Sequence, residues 1–238
     1  MTVPSQPGCP TPGTVRVASY NVRDLLDDHA AAARVVRAID PDVLCLQEVP
    51  RRLTTELRLP AFARACGLWW SGGRLGSGGT AVLSSLRVHV HGHRQHRLAV
   101  RFPDRTRGFS ALEVSSPGGP RLTVASVHLG LRADERVRHV AAILERLGPG
   151  AVIAGDLNEG ADGQAWRLLA DRYRNVSGDH PTFPAVAPQV LLDVIFAGGA
   201  LIARPGRPVV LVEEDVRAAS DHRPVWVDLR ADDRQPLR

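Results

Sequence analysis

Residues 42–49 read DVLCLQEV, an apolar run that stops abruptly at a glutamate. Apolar residues in successive positions suit a strand covered on both faces. Working outward, Pro41 closes the segment before it. Asp28–Ile39 is Ala-rich, carries Val35, Val36 and Ile39 at helical spacing, and can be capped by Asp27 or Asp28. Before that helix, Thr14–Val22 (TVRVASYNV) alternates as a half-buried strand does. Downstream, a second helical region is expected around Arg51–Cys66, interrupted at Pro60, and then a glycine-rich loop at Gly72–Gly79. Thr80–Leu83, Arg87–Val90, Phe109–Val114, Arg121–Val127 and Ala151–Ala154 read as strands. Asp134–Leu147 reads as a helix that Gly148 ends. Late strands are expected at Leu191–Phe196, Pro208–Val212 and Pro224–Leu229. Many strands with interspersed helices fit a layered α/β domain. Residues 1–13 carry four prolines and read as a flexible tail, as do residues 231–238. The expected organisation is one domain over residues 14–230.

Polar residues collect where the apolar runs end. Asn21 follows VASY, Glu48 follows DVLCLQ, and His128 follows TVASV. Asp156 and Asn158 follow AVIAG, Asp193 sits in LLDVIF, and Asp221–His222 precede PVWVDL. Any one of these alone reads as an ordinary strand end or turn. Their repetition points to a site on one sheet edge. Glu48, Asp156 and Asp221 are hard oxygen ligands, and Asn21 can add an amide oxygen. Oxygen ligation suits Mg²⁺ or Mn²⁺ rather than zinc. His128 and His222 can stabilise charge or move a proton, and Asp193 can orient one imidazole. This set suits a phosphorane-like transition state, with a carboxylate left to activate water. A serine or cysteine nucleophile fits poorly: there is no G-x-S-x-G elbow, and Cys45 lies inside the most apolar run.

Seven segments in order, VASYNV, DVLCLQEV, GGTAVLS, SVHLG, AGDLNE, TFP with LLDVIF, and ASDHRPV, resemble the endonuclease/exonuclease/phosphatase superfamily of metal-dependent phosphoesterases. The resemblance implies a four-layer α/β sandwich, two mixed sheets face to face with helices outside. It makes Glu48 the main metal ligand, with Asn21 beside the metal and Asp221 as the acidic partner of that site. Asp156 becomes the base for the attacking water, and Asn158 the amide that holds phosphate and water in line. His222 contacts a non-bridging oxygen, Asp193 orients it, and His128 is a second phosphate-side histidine. The implied cofactor is Mg²⁺ or Mn²⁺ and the implied reaction is in-line attack of water on a phosphodiester. A phosphomonoesterase acting on a sugar, inositol or nucleotide phosphate is the alternative, and a catalytically silent binding scaffold is another. SYNVRD stands where abasic-site enzymes show a WN-x-NG-like motif, which argues against that branch.

Length and composition bound the reading further. The 238 residues are 44% hydrophobic and 23% charged, which excludes a wholly disordered chain. No apolar run approaches the roughly 20 residues of a membrane span, and no signal peptide is evident. Three scattered cysteines argue against a disulfide framework. A cytoplasmic monomer is expected. The net charge is +5, with a pI of about 10.0, and every one of the 30 basic residues is arginine. Arg101, Arg105, Arg107 and Arg132 are candidates for a groove that takes substrate phosphates, nucleic acid included, with Arg132 and Arg107 favoured. Trp69 and Trp70 could stack on a ligand, although packing is the more usual use of such a pair. His89, His91, His93 and His96 read as an exposed edge strand rather than a metal site. The Gly72–Gly79 loop lacks the P-loop pattern.

Overall fold

The computed structural model describes residues 13–50, 55–72 and 77–232. The expected tails at 1–12 and 233–238, the start of the second helical region at 51–54, and the centre of the glycine loop at 73–76 lie outside the described residues. The strands are β1 (Thr14–Asn21), β2 (Val43–Gln47), β3 (Trp69–Trp70), β4 (Ala81–Ser84), β5 (His89–Leu98), β6 (Arg107–Ser115), β7 (Leu122–His128), β8 (Val152–Asp156), β9 (Tyr173–Asn175), β10 (Asp193–Gly198), β11 (Leu201–Arg204) and β12 (Val225–Ala231). The helices are α1 (His29–Ile39), α2 (Thr55–Ala65), α3 (Ala133–Leu144), α4 (Gln164–Ala170) and α5 (Glu213–Ala219).

Two six-stranded mixed sheets form, in the orders β11-β12-β1-β2-β4-β3 and β5-β6-β7-β8-β10-β9. Each is built around one parallel pair with a helix in the crossover: β1 and β2 through α1, β7 and β8 through α3. A parallel pair sends both strands' C-terminal ends to the same edge, and an antiparallel neighbour begins there. Thus β1, β2, β7 and β8 end, and β10 and β12 start, at one end of the sandwich. That shared edge gathers residues far apart in sequence.

Alternation then sorts the apolar side chains into layers. Val15, Val17, Val43, Cys45, Leu112, Val124, Val152 and Ile195 fill the space between the sheets. Leu44, Leu46 and Tyr20 turn outward against α1, α2 and α5. Phe109, Ile153 and Phe196 do the same against α3 and α4. The architecture is therefore the expected four-layer α/β sandwich, and DVLCLQ is buried on both faces. Near the shared edge the inter-sheet layer turns polar. Gln47 Nε2 donates to Ser126 Oγ at 3.0 Å, and Ser126 Oγ donates to the Leu46 carbonyl at 2.7 Å. These buried bonds tie the first sheet to the second directly beneath the polar edge.

Several local expectations are corrected. Pro208–Val212 forms no strand: Val209 and Leu211 pack on the helical layer while Val210 faces solvent. Its alternation records one buried face without a partner strand. The second helix continues through Pro60, because Leu59, Phe62 and Ala63 are held in the core. The helix expected to reach Leu147 ends at Leu144, and Leu147 is buried from a following turn. The Arg87–Val90 strand is instead the long edge strand β5, on which His89 and His91 are exposed as expected while His93 and His96 are half-buried. The last strand runs through Ala231, one residue beyond the expected domain limit.

Gly155 shows how tightly the central ladder is drawn. A Cβ there would fall 1.9 Å from the Val127 carbonyl oxygen, in the β7–β8 pair that holds His128 opposite Asp156. Gly155→Ala is expected to cost about 1–3 kcal/mol, the usual scale of overpacking, read as a lowered urea midpoint at unchanged slope.

Candidate active site

The shared edge brings together the residues singled out in the sequence. Asn21 ends β1, Glu48 directly follows β2, His128 ends β7 and Asp156 ends β8. Asp193 opens β10 opposite Asp156, and His222 lies just before β12. Asn21, His128, Asp156, Asp193 and His222 are all buried.

Asp156 is the hub. Its Oδ2 accepts from Asn21 Nδ2 at 3.0 Å and lies 3.4 Å from His128 Nε2 and 3.9 Å from His222 Nε2. Its Oδ1 accepts from the Asn158 backbone N–H at 2.9 Å. Burial, and then the charge of Asp193, push its pKa up from the ordinary carboxylate value, against the opposing pull of His222.

Asp193 is the second buried acid. His222 Nδ1 and Asp193 Oδ2 are 2.8 Å apart, and Thr182 Oγ1 donates to the same oxygen at 2.7 Å. Thr182 in turn accepts from the Leu192 and Asp193 backbone N–H groups. Burial alone would lower the His222 pKa, but the facing Asp193 carboxylate outweighs it and raises it to about 9. The imidazole is therefore cationic at neutral pH. The Phe183 ring packs on it with centroids 4.9 Å apart. Ser220 Oγ donates to the Asn21 carbonyl and accepts from the His222 N–H, joining the entry to β12 to the end of β1.

Two site residues adopt left-handed backbone: Glu48 at φ 50° and Asn158 at φ 52°. Non-glycine residues adopt it at a conformational cost, and such positions gather at functional sites. Arg23, Asp24 and Leu25 are also left-handed, forming a tight turn after β1. Its Arg23 N–H donates to Asn21 Oδ1 at 3.1 Å and its Asp24 N–H to the Glu48 carbonyl at 2.6 Å.

The arginines divide. Arg107, expected to face substrate, is instead buried, with Nε donating to the Leu129 carbonyl at 2.9 Å. The same carbonyl accepts from Asn158 Nδ2 at 3.0 Å, so Arg107 sits underneath the site. Arg132 is half-exposed and paired with Asp104 at 2.8 Å on the rim. Arg105 reaches Asp24 at 3.0 Å and stands 3.9 Å from Glu48 Oε2, while Arg23 Nε stands 3.6 Å from Asp221 Oδ2. Arg23, Thr182 and Ser220 were not singled out in the sequence, although Thr182 opens the quoted TFP segment. The tryptophans Trp69 and Trp70 form a short strand on the outer edge of the first sheet.

Possible ligand atoms of Asp156, Asp193 and His222 lie within 4.8 Å of one another, close enough to hold a metal ion. The donor chemistry fits a divalent cation. Two buried carboxylates face one another, Asp193 Oδ1 has no hydrogen-bond partner among the described residues, and Glu48 and Asp221 add carboxylates at the mouth.

A model of the endonuclease/exonuclease/phosphatase family matches residues 18–222, and the chain belongs to that family. Among solved structures, an endonuclease/exonuclease/phosphatase from Beutenbergia cavernae is 23% identical with a TM-score of 0.70, covering 92% of this chain and 72% of that one. The human Nocturnin catalytic domain, with a bound sulfate anion, is 17% identical with a TM-score of 0.73, over 93% and 96% of the two chains. ANGEL2, described as a 2′,3′-cyclic phosphatase, is 16% identical with a TM-score of 0.69, over 92% and 95%. At these identities the likeness establishes the fold. No curated protein matches the sequence. Among the described residues no helix is long and apolar enough to cross a membrane.

The loop after His128 is fixed from α3. His139 Nε2 lies 2.7 Å from the Ala99 carbonyl, and its Nδ1 accepts from the Gly130 N–H at 3.2 Å. That pattern requires a neutral imidazole, and burial lowers its pKa below the ordinary 6.5. The unfolded chain then binds this proton more readily, so His139 contributes stability above about pH 6.5 and loses it as pH falls. The difference in Tm between the wild type and His139→Gln is expected to shrink steadily from pH 7 to pH 5.

Proposed function

We propose that this protein is a Mg²⁺- or Mn²⁺-dependent hydrolase of phosphodiesters. The observation that carries the proposal is the crowding on Asp156: an amide, two imidazoles and a backbone N–H converge on one buried carboxylate. Glu48, with Asn21 and Asp221, is the proposed seat of the ion. The other cluster is the weaker seat, because Asp193 Oδ2 is already shared by Thr182 and His222. When bound, the ion would neutralise charge on the phosphate oxygens.

This chain's residues supply the rest. Asp156 orients the attacking water and takes one of its protons, which its upward-shifted pKa favours. The water oxygen bonds to phosphorus as the bond to the departing oxygen breaks, and that oxygen takes a proton from solvent. His222, held by Asp193, meets a non-bridging oxygen, and His128 faces the phosphate from the second sheet. Asn158 holds phosphate and water in line. The left-handed turn at Asn158 brings its backbone N–H to Asp156 and its side-chain amide to Leu129, fixing both partners.

The test is hydrolysis of a chromogenic phosphodiester beside its phosphomonoester with Mg²⁺ or Mn²⁺. Diester cleavage abolished by EDTA and by His222→Ala is the expected outcome, and faster monoester cleavage would overturn the diester assignment. Asp156→Asn or His222→Ala should lower kcat by about 10³-fold or more, and Asn158→Ala by about 10²–10³-fold. Thr182→Val should lower kcat about 10-fold with KM little changed, since it only orients Asp193, and Thr182→Ser should restore most of the loss.

A further inference from the structure

The hairpin loop between β5 and β6, residues 99–106, stands over the mouth of the site. Arg105 crosses from it to Asp24 at 3.0 Å and comes within 3.9 Å of Glu48. Asp104 takes Arg132 at 2.8 Å, beyond His128, and the Arg101 N–H donates to the buried Glu135 at 2.9 Å. A turn closed by the Asp104 N–H on the Arg101 carbonyl, at 2.8 Å, lifts Phe102 at its tip. Phe102 is 96% exposed, on a loop fastened on both sides to the site rim. A single exposed apolar side chain ordinarily needs no explanation. This one is a large aromatic on the same anchored loop as Arg105, which reaches Asp24 and Glu48 beside the site.

The charges around it carry the second half of the argument. Four rim arginines among the described residues already have carboxylates: Arg101 with Asp134, Arg105 with Asp24, Arg132 with Asp104 and Arg23 with Asp27. A groove for a polyanion needs a row of cations left for successive phosphates. Among the described residues this rim interleaves arginines with carboxylates around an aromatic tip.

We propose that the loop selects small phosphate diesters bearing a planar aromatic group, which packs on Phe102 while the phosphate lies at Asp156. The proposal rests on the phosphoesterase reading for its phosphate half only. An aromatic face against a planar substituent gives affinity with little sequence or shape demand, as in stacking on nucleobases.

The experiment is direct binding of phenylphosphonate and methylphosphonate, neither of which is hydrolysed, followed by ligand-detected NMR in Mg²⁺. The wild type should bind the phenyl compound about 10-fold more tightly. Phe102→Ala should bring that ratio close to one, Phe102→Tyr should keep it, and Leu86→Ala, an exposed residue outside this loop, should leave it unchanged. Equal binding of the two compounds by the wild type, or a preference that survives Phe102→Ala, overturns the proposal. A duplex oligonucleotide should bind with a shallow salt dependence. A log–log slope steeper than about −3, as several phosphate contacts would give, overturns the assignment of a small substrate. A phenyl preference in a protein that cleaves no diester would leave Phe102 as the aromatic contact and remove the phosphodiesterase reading instead. An aryl ester and a nucleoside ester of the same leaving group, compared by KM, then identify which aromatic source is preferred.

Discussion

Two carboxylates, Asp156 and Asp193, face each other across the β8–β10 ladder, both buried at one end of the sandwich. Burying one charge without partners is costly, and burying two side by side is worse. Much of the surrounding structure answers that constraint. Asn21 reaches across from the first sheet, the Asn158 backbone folds back, and Thr182 and His222 converge on one oxygen of Asp193. These groups come from distant parts of the chain, so the acids gain these partners only when both sheets are in place. The polar bonds of Gln47 and Ser126 then keep the sheets in register where the acids meet. The same end of the sandwich thus holds both the contacts between the sheets and the candidate site.

The architecture was legible because strand and helix periods are written in apolar spacing. DVLCLQ shows burial on both faces by its composition, and the ends of such runs coincide with Asn21, Glu48, His128 and Asp156. What failed depended on partners that spacing does not specify. Pro208–Val212 has the alternation of a strand and no neighbour to pair with, while α4 and α5 are too short for a helical stripe to stand out. In the site, the acids and histidines were legible and their supports were not. Thr182 is an ordinary turn residue until it is seen on Asp193. Arg107 is a surface cation by composition and a buried strut in fact, because the carbonyl it supports belongs to a loop some twenty residues away. Nothing in the sequence marks Glu48 and Asn158 as left-handed.

The arginine excess shows how composition and structure can point in different directions. A net charge of +5 suggests an attraction for polyanions. Yet Arg16 is buried on Asp228, Arg87 bridges Asp40 and Asp42, and Arg223 straps α5 to the loop carrying Thr182 through Glu213 and the Ala185 carbonyl. Many guanidinium groups thus act as internal cross-links, a use suited to a planar fork with several donors. The formal charge describes the whole chain and says little about the field over the mouth.

The left-handed backbones of Glu48 and Asn158 bear on how such a chain ages under mutation. Glycine takes that conformation without steric penalty. At Glu48 glycine would ease the backbone, whereas at Asn158 it would also remove the amide that donates to the Leu129 carbonyl. The two positions would therefore drift differently, one eased by glycine and the other held by its own side chain.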